Sequence, residues 1–195
     1  MQEIYEQIDR MSDNSPNVLI QGESGTGKEL TAHVIYKNSD RKQKAFVPVN
    51  CKSFGKGVAD NQIYEHTRSL LKSSAGGTIF FDEITEIAPD MQAEISRAYT
   101  ENFPPSAAVD DKQKSGVRLL AATKRNLGET GGREIVNQDF LNCTNDVIIQ
   151  MPPLRERKED ICLLINHFLA KFNTKRESKA MNVSPETLDV LLRYN

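Results

Sequence analysis

Hydrophobic residues along this chain come mostly in short unbroken runs. Residues 17–21 (NVLIQ), 46–49 (FVPV), 77–83 (GTIFFDE), 116–123 (GVRLLAAT) and 147–151 (VIIQM) are apolar or β-branched with few polar residues between. Strands that do not alternate are covered on both faces, as in a parallel sheet. Between these runs the spacing turns helical. Residues 28–36 can form a helix, and 89–99 opens with Pro89 and sets Met91, Ile95 and Ala98 or Tyr99 on one side. In 159–172, Ile161, Leu164, Ile165, Phe168, Leu169 and Phe172 recur at spacings of three and four. Ser184-Pro185-Glu186 reads as an N-cap, an N1 proline and an acidic first turn.

Strand and helix patterns thus alternate, which predicts an α/β fold with a parallel sheet flanked by helices. Pro152-Pro153 cannot continue a ladder, so a boundary falls there: an α/β subdomain over 1–152 and the start of a small helical subdomain over 153–195. The last helix meets the chain end, which reads as a fragment of a longer protein. Residues 52–76 show no clear periodicity and 104–116 are polar and turn-rich; both read as flexible connections. The stripe Leu163, Leu164, Phe168 and Leu169 reads as packing within the helical subdomain.

The first strand runs into QGESGTGKEL, residues 21–30. Gly22-x-x-x-x-Gly27-Lys28 has the spacing of a phosphate-binding loop between strand and helix. Glycines let backbone N–H groups turn toward phosphate oxygens, the lysine adds a charge, and the helix N-terminus adds its dipole. Gly22, Glu23, Ser24, Gly25, Thr26, Gly27, Lys28 and Glu29 are the candidate nucleotide-binding residues. Glu29 stands where such loops usually carry a hydroxyl for magnesium. In TIFFDE an apolar strand delivers Asp82, a candidate Mg²⁺ ligand, and Glu83, a candidate base that polarises an attacking water. Asn50, after the second strand, is a candidate to orient Glu83. Taken singly, each pattern has a plain alternative: a glycine turn before a lysine, acids that solubilise a strand end, an asparagine in a turn.

Composition changes this picture little. Of 195 residues, 38% are hydrophobic and 27% charged, as in ordinary globular chains. A net charge of −2 argues against a nucleic-acid surface spread over the whole segment. With no apolar run of membrane length and no signal-peptide pattern in MQEIYEQIDR, a cytoplasmic location is expected. Cys51, Cys143 and Cys162 lack paired spacing and read as free thiols; His33, His66 and His167 read as ordinary surface or helix residues.

GESGTGKEL, FVPVNC (46–51), GGTIFFDEI (76–84), RLLAAT (118–123) and MPPLRERKEDI (151–161) together resemble the AAA+ domain of bacterial enhancer-binding transcription activators that act on sigma-54 RNA polymerase. Glu after the loop lysine is what that family carries. The resemblance implies ATP and Mg²⁺ as ligands, a helical lid, self-association into a ring or dimer, and a helix-turn-helix DNA-binding domain outside this segment. Three departures stand out. The segment between Cys51 and Gly76 is short and lacks the family's Gly-Ala-Phe-Thr-Gly-Ala loop, which touches sigma-54. The family's two candidate finger arginines fall on Asn137 and Cys143, with Arg133 as a nearby substitute. Lys124 replaces the asparagine that positions the attacking water. The implied module binds nucleotide but hydrolyses slowly and does not engage sigma-54 polymerase. The alternatives are a working ATPase that drives transcription initiation, or a non-hydrolysing scaffold that holds another ligand such as a cyclic dinucleotide.

Overall fold

The computed structural model describes residues 1–11, 15–53, 60–103, 116–127, 135–173 and 183–194. Strands β1 (Val18–Gln21), β2 (Phe46–Asn50), β3 (Thr78–Asp82), β4 (Arg118–Thr123) and β5 (Val147–Gln150) form one sheet in the order β2-β3-β4-β1-β5, and every pairing is parallel. Parallel neighbours need long crossovers. Helices α2 (Lys28–Lys37), α3 (Asp60–Ser73), α4 (Pro89–Asn102) and α5 (Gln138–Thr144) supply them, and α1 (Gln2–Arg10) precedes the sheet. Pro48, which has no N–H to give a second neighbour, lies on β2 at the sheet edge.

The unbroken hydrophobic runs are explained by two cores, one on each face. Leu19, Ile79, Phe81, Leu119 and Ala121 point into a cluster with Leu71 of α3, Met91, Ile95 and Ala98 of α4, and Phe140 of α5. Their neighbours Val18, Ile20, Phe80, Leu120 and Ala122 point the other way, toward Ile4 and Ile8 of α1 and Ala32 and Ile35 of α2. The α/β sheet flanked by helices is therefore present as expected.

Residues 60–73 differ from the sequence reading, because α3 is a regular helix. Its buried positions Thr67 and Leu71, with half-buried Tyr64 and with Ser74 just past its end, keep helical spacing but include polar residues, so hydrophobicity alone does not reveal them. Tyr64 also donates to Glu101 and lies under Arg97, 4.4 Å from its guanidinium carbon, which fastens α3 to α4. The connection over 104–115 lies outside the described residues.

The chain divides into two compact units, Met1–Met151 and Pro152–Asn195. The second contains a 3₁₀ turn (Leu154–Glu156), α6 (Glu159–Asn173) and α7 (Pro185–Arg193), with Ser184 capping α7 through the N–H of Thr187 at 3.3 Å. The apolar stripe of α6 is not a packed core here: Ile161 is buried, but Leu163, Leu164, Phe168 and Phe172 are exposed. Among the described residues no helix is long and apolar enough to cross a membrane.

Candidate functional site

All strands run the same way, so their carboxyl ends share one edge. Asn50 pairs in register with Asp82, and Gln21 with both Thr123 and Gln150. The chain leaves β1 for β2 on one side and crosses from β4 to β5 on the other, so the strand order reverses beside β1. Ligands of open α/β sheets bind at such a reversal.

The loop after β1 lies at this point. Gly22 donates its N–H to the carbonyl of Thr123 at 3.1 Å, tying the loop to the end of β4. A Cβ on Gly22 would stand 2.7 Å from both Cβ and O of Met151, so only glycine lets the chain pass there. Gly25 and Gly27 have φ of 82° and 98°, the left-handed region that glycine enters at little cost. Above them there is open space, since a Cβ on either would meet nothing within 4 Å. Thr26 is buried and donates to the carbonyl of Glu23 at 2.9 Å, whereas Glu23, Ser24 and Glu29 are exposed. Helix α2 begins after Gly27 with no side-chain cap, which leaves first-turn N–H groups and the helix dipole directed at the loop.

Lys28 is buried, and its ammonium donates to the carbonyls of Gly22 at 2.9 Å and Glu23 at 3.2 Å. It also lies 3.3 Å from the carboxylate of Glu83, which is itself 12% exposed. Glu83 follows β3 in a left-handed conformation, φ 60° and ψ 60°, unusual for a side chain with a Cβ. Its other oxygen accepts the backbone N–H of Lys124 at 3.0 Å. The loop lysine, the acid after β3 and the backbone after β4 therefore meet on one carboxylate.

Burial first, then the charges of Glu83 and Glu29, raise the pKa of Asp82 above the usual carboxylate value, although Lys28 and Lys52 pull the other way. A carboxyl crowded by other acids beside the glycine loop favours a cation. Asn50 stands beside Asp82, and its Oδ1 accepts the N–H of Lys52 at 3.0 Å. The Lys124 ammonium turns outward to Glu86 at 2.7 Å. The pairing raises the pKa of Lys124 and lowers that of Glu86.

Sequence reasoning missed Glu86 and Gln92. The amide of Gln92, fully buried in α4, donates to the carbonyls of Ile84 at 3.3 Å, Ile87 at 2.8 Å and Ile135 at 3.4 Å, and its oxygen accepts the N–H of Asn137 at 2.7 Å. It joins the turn after Glu83 to the start of α5. Asn137 in turn caps α5 by accepting the N–H groups of Asp139 at 2.9 Å and Phe140 at 3.2 Å. Cys143 is half-buried on the same helix, and Arg133 lies outside the described residues.

The residues present fit a magnesium nucleotide. The loop offers a buried ammonium, uncapped N–H groups and open space for phosphates. Among the described residues no cluster of three His, Cys, Asp or Glu side chains is placed to hold a metal. Magnesium nonetheless needs only one or two protein carboxylates when it arrives on a nucleotide, and Asp82 suits that arrangement.

Family models agree with this architecture. The model described as a sigma-54 interaction domain matches residues 1–150, and that of an AAA+ ATPase lid domain matches residues 155–195. The chain is 36% identical to the Nif-specific regulatory protein of Azospirillum brasilense, over 99% of this chain and 32% of that protein. It is 32% identical to the transcriptional regulatory protein ZraR of Salmonella typhimurium, over 100% of this chain and 47% of that protein. The chain thus spans a third to a half of these relatives. Its fold is shared with NtrX from Brucella abortus crystallised with ATP: TM-score 0.79 at 24% identity, over 100% of this chain and 46% of that one.

Proposed function

The chain belongs to the family of sigma-54 interaction domains of the AAA+ type, and from that premise we propose that it binds ATP with Mg²⁺ and hydrolyses it slowly, as a nucleotide-responsive module of a transcription regulator. Gly22, Glu23, Ser24, Gly25, Thr26, Gly27, Lys28 and Glu29 form the phosphate loop and Asp82 holds the Mg²⁺. Glu83 is the base, oriented by Asn50. The NtrX crystals with ATP support the ligand by analogy. Bound Mg²⁺ would neutralise phosphate charge; the chain's own groups bind, orient and exclude water.

The observation that carries slow hydrolysis is Lys124. The position beside Glu83 should help orient a water, which needs a group that can accept as well as donate. An ammonium only donates, and this one is engaged with Glu86 at 2.7 Å. Asn137 as a helix cap and Cys143 supply no finger charge, where an arginine is worth roughly 10³ to 10⁵ in rate. Residues 60–73, within the segment where the family carries its sigma-54 loop, form α3, and no Gly-Ala-Phe-Thr-Gly-Ala occurs. Productive contact with sigma-54 polymerase is therefore not part of the proposal. Self-association into a ring or dimer is, and so is DNA binding through a domain outside this segment.

A working ATPase is the second reading, favoured by Glu83 being held 3.3 Å from Lys28 beside the loop. Thermal unfolding with Mg-ATP, with Mg-ADP and without nucleotide, on this chain and on Lys28→Ala, with phosphate release followed in parallel, separates the two. At 100 times its dissociation constant a ligand contributes about 2.7 kcal/mol, roughly a 5–10 °C shift for a unit of this size. A shift lost in Lys28→Ala with negligible phosphate is expected. Steady phosphate release would establish the working enzyme. No shift would overturn nucleotide binding and leave a scaffold for another ligand, with a cyclic dinucleotide the first to try.

A further inference from the structure

The carboxylate of Glu83 stands where two chain segments aim hydrogen-bond donors beside the glycine loop. One oxygen lies 3.3 Å from the Lys28 ammonium, and the other accepts the backbone N–H of Lys124 at 3.0 Å. An ammonium has three N–H groups to give. Those of Lys28 meet the carbonyls of Gly22 at 2.9 Å and Glu23 at 3.2 Å, and the carboxylate of Glu83, so all three are engaged. The backbone of Lys124, just past the end of β4, has one proton to give, and Glu83 receives it. The Lys124 ammonium is turned away to Glu86 at 2.7 Å. Glu83 thus occupies donors of both segments with one nearly buried negative charge. It does so with φ and ψ of 60°, a left-handed conformation that is costly for a residue with a Cβ and persists only where its surroundings hold it. Here the holding contacts are Lys28 and the Lys124 backbone.

A terminal phosphate is likewise an anion whose oxygens accept from an ammonium and from backbone N–H groups. We propose, resting on the nucleotide reading above, that Glu83 is a built-in stand-in for that phosphate. In the ligand-free chain its carboxylate closes the site, and a nucleotide enters by displacing Glu83 from Lys28 and from the Lys124 N–H. Two anions cannot share those donors without repulsion. The observed affinity is then the intrinsic one scaled by the fraction of chains in which Glu83 has let go. Removing the charge of Glu83 raises that fraction, and displacing Glu83 frees it for the role of base. The same step that admits the nucleotide therefore releases the group that acts on it.

The test is calorimetric titration with the magnesium complex of a non-hydrolysable ATP analogue, on this chain and on Glu83→Gln, which keeps the size of the side chain and removes its charge. The dissociation constant should fall tenfold or more in Glu83→Gln. An equal or larger constant in the variant would overturn the stand-in and leave nucleotide binding intact. Binding by neither protein would overturn the nucleotide reading, and the stand-in with it. Crystals of the unaltered chain with the analogue give a second readout, in which the distance from Lys28 to Glu83 should open beyond the roughly 4 Å of an ion pair. Bound phosphates with the 3.3 Å contact unbroken would also overturn the stand-in.

Discussion

Replacing Lys28 by Met keeps the aliphatic stem and removes the charge that Glu83 meets, and the cost should appear before any nucleotide is added. At 3.3 Å and an effective dielectric of about 20, the gross attraction of the pair is about 5 kcal/mol. Desolvation of both groups offsets much of it, since they are 7% and 12% exposed. The lysine also makes two carbonyl hydrogen bonds. Lys28→Met alone strands a nearly buried carboxylate, a loss of about 3–5 kcal/mol for pairs of this kind. Glu83→Gln leaves an amide that still accepts from the N–H of Lys124, so it should cost less. In the double variant the stranded charge is absent, and the two losses should fall short of additivity by about 1–3 kcal/mol. Urea unfolding of the four proteins without nucleotide measures this directly. Additivity within about 0.5 kcal/mol would show that the pair is not coupled and that Lys28 is held by the loop carbonyls alone.

Other positions make separate tests. Asp82 has a raised pKa in the fold, so its ionised form costs the native state stability as pH climbs through that range. Asp82→Asn should therefore raise the nucleotide-free midpoint at neutral pH, with the gain shrinking as acid protonates Asp82 in the parent; a gain independent of pH would refute the assignment. Gly22→Ala should cost about 1–3 kcal/mol through overpacking against the Met151 backbone, while Gly25→Ala should cost about 1–2 kcal/mol through its left-handed φ alone. Thermal unfolding of both, with the spectrum of the β5 region followed by NMR, tells the two causes apart, because only Gly22→Ala should disturb Met151. Lys124→Asn restores a group that can both accept from and donate to a water. If one oriented hydrogen bond is worth about 1.4 kcal/mol, phosphate release should rise about tenfold, and an unchanged rate would remove Lys124 from the account of slow turnover.

Most of the fold was legible because it rests on local patterns. Strand runs appear in sequence because a sheet with helices on both faces makes both sides of each strand apolar, and Gly22 and Gly27 because the turn from β1 into α2 needs a backbone without Cβ at those points. The same rule misled at α3, whose buried face carries Thr67 beside Leu71, and at α6, where helical periodicity was read as a packed core although Leu163, Leu164, Phe168 and Phe172 are exposed. Asn137 appeared as a lost arginine; in the fold it caps α5 and meets Gln92.

The sequence by itself therefore determined the strands, the glycine turn between β1 and α2 and the acids at the end of β3, since each depends on neighbours within a few residues. Only the tertiary structure decided which groups these meet. Lys28 and Glu83 are distant in sequence and 3.3 Å apart in space; the Lys124 ammonium selects Glu86 rather than the loop; Thr78 and Arg118 become neighbours because β3 and β4 pair in that register. Pairing across a parallel sheet is set by crossovers that carry no local signature, so the contacts that tune charge at the strand ends exist only once the strands have been ordered.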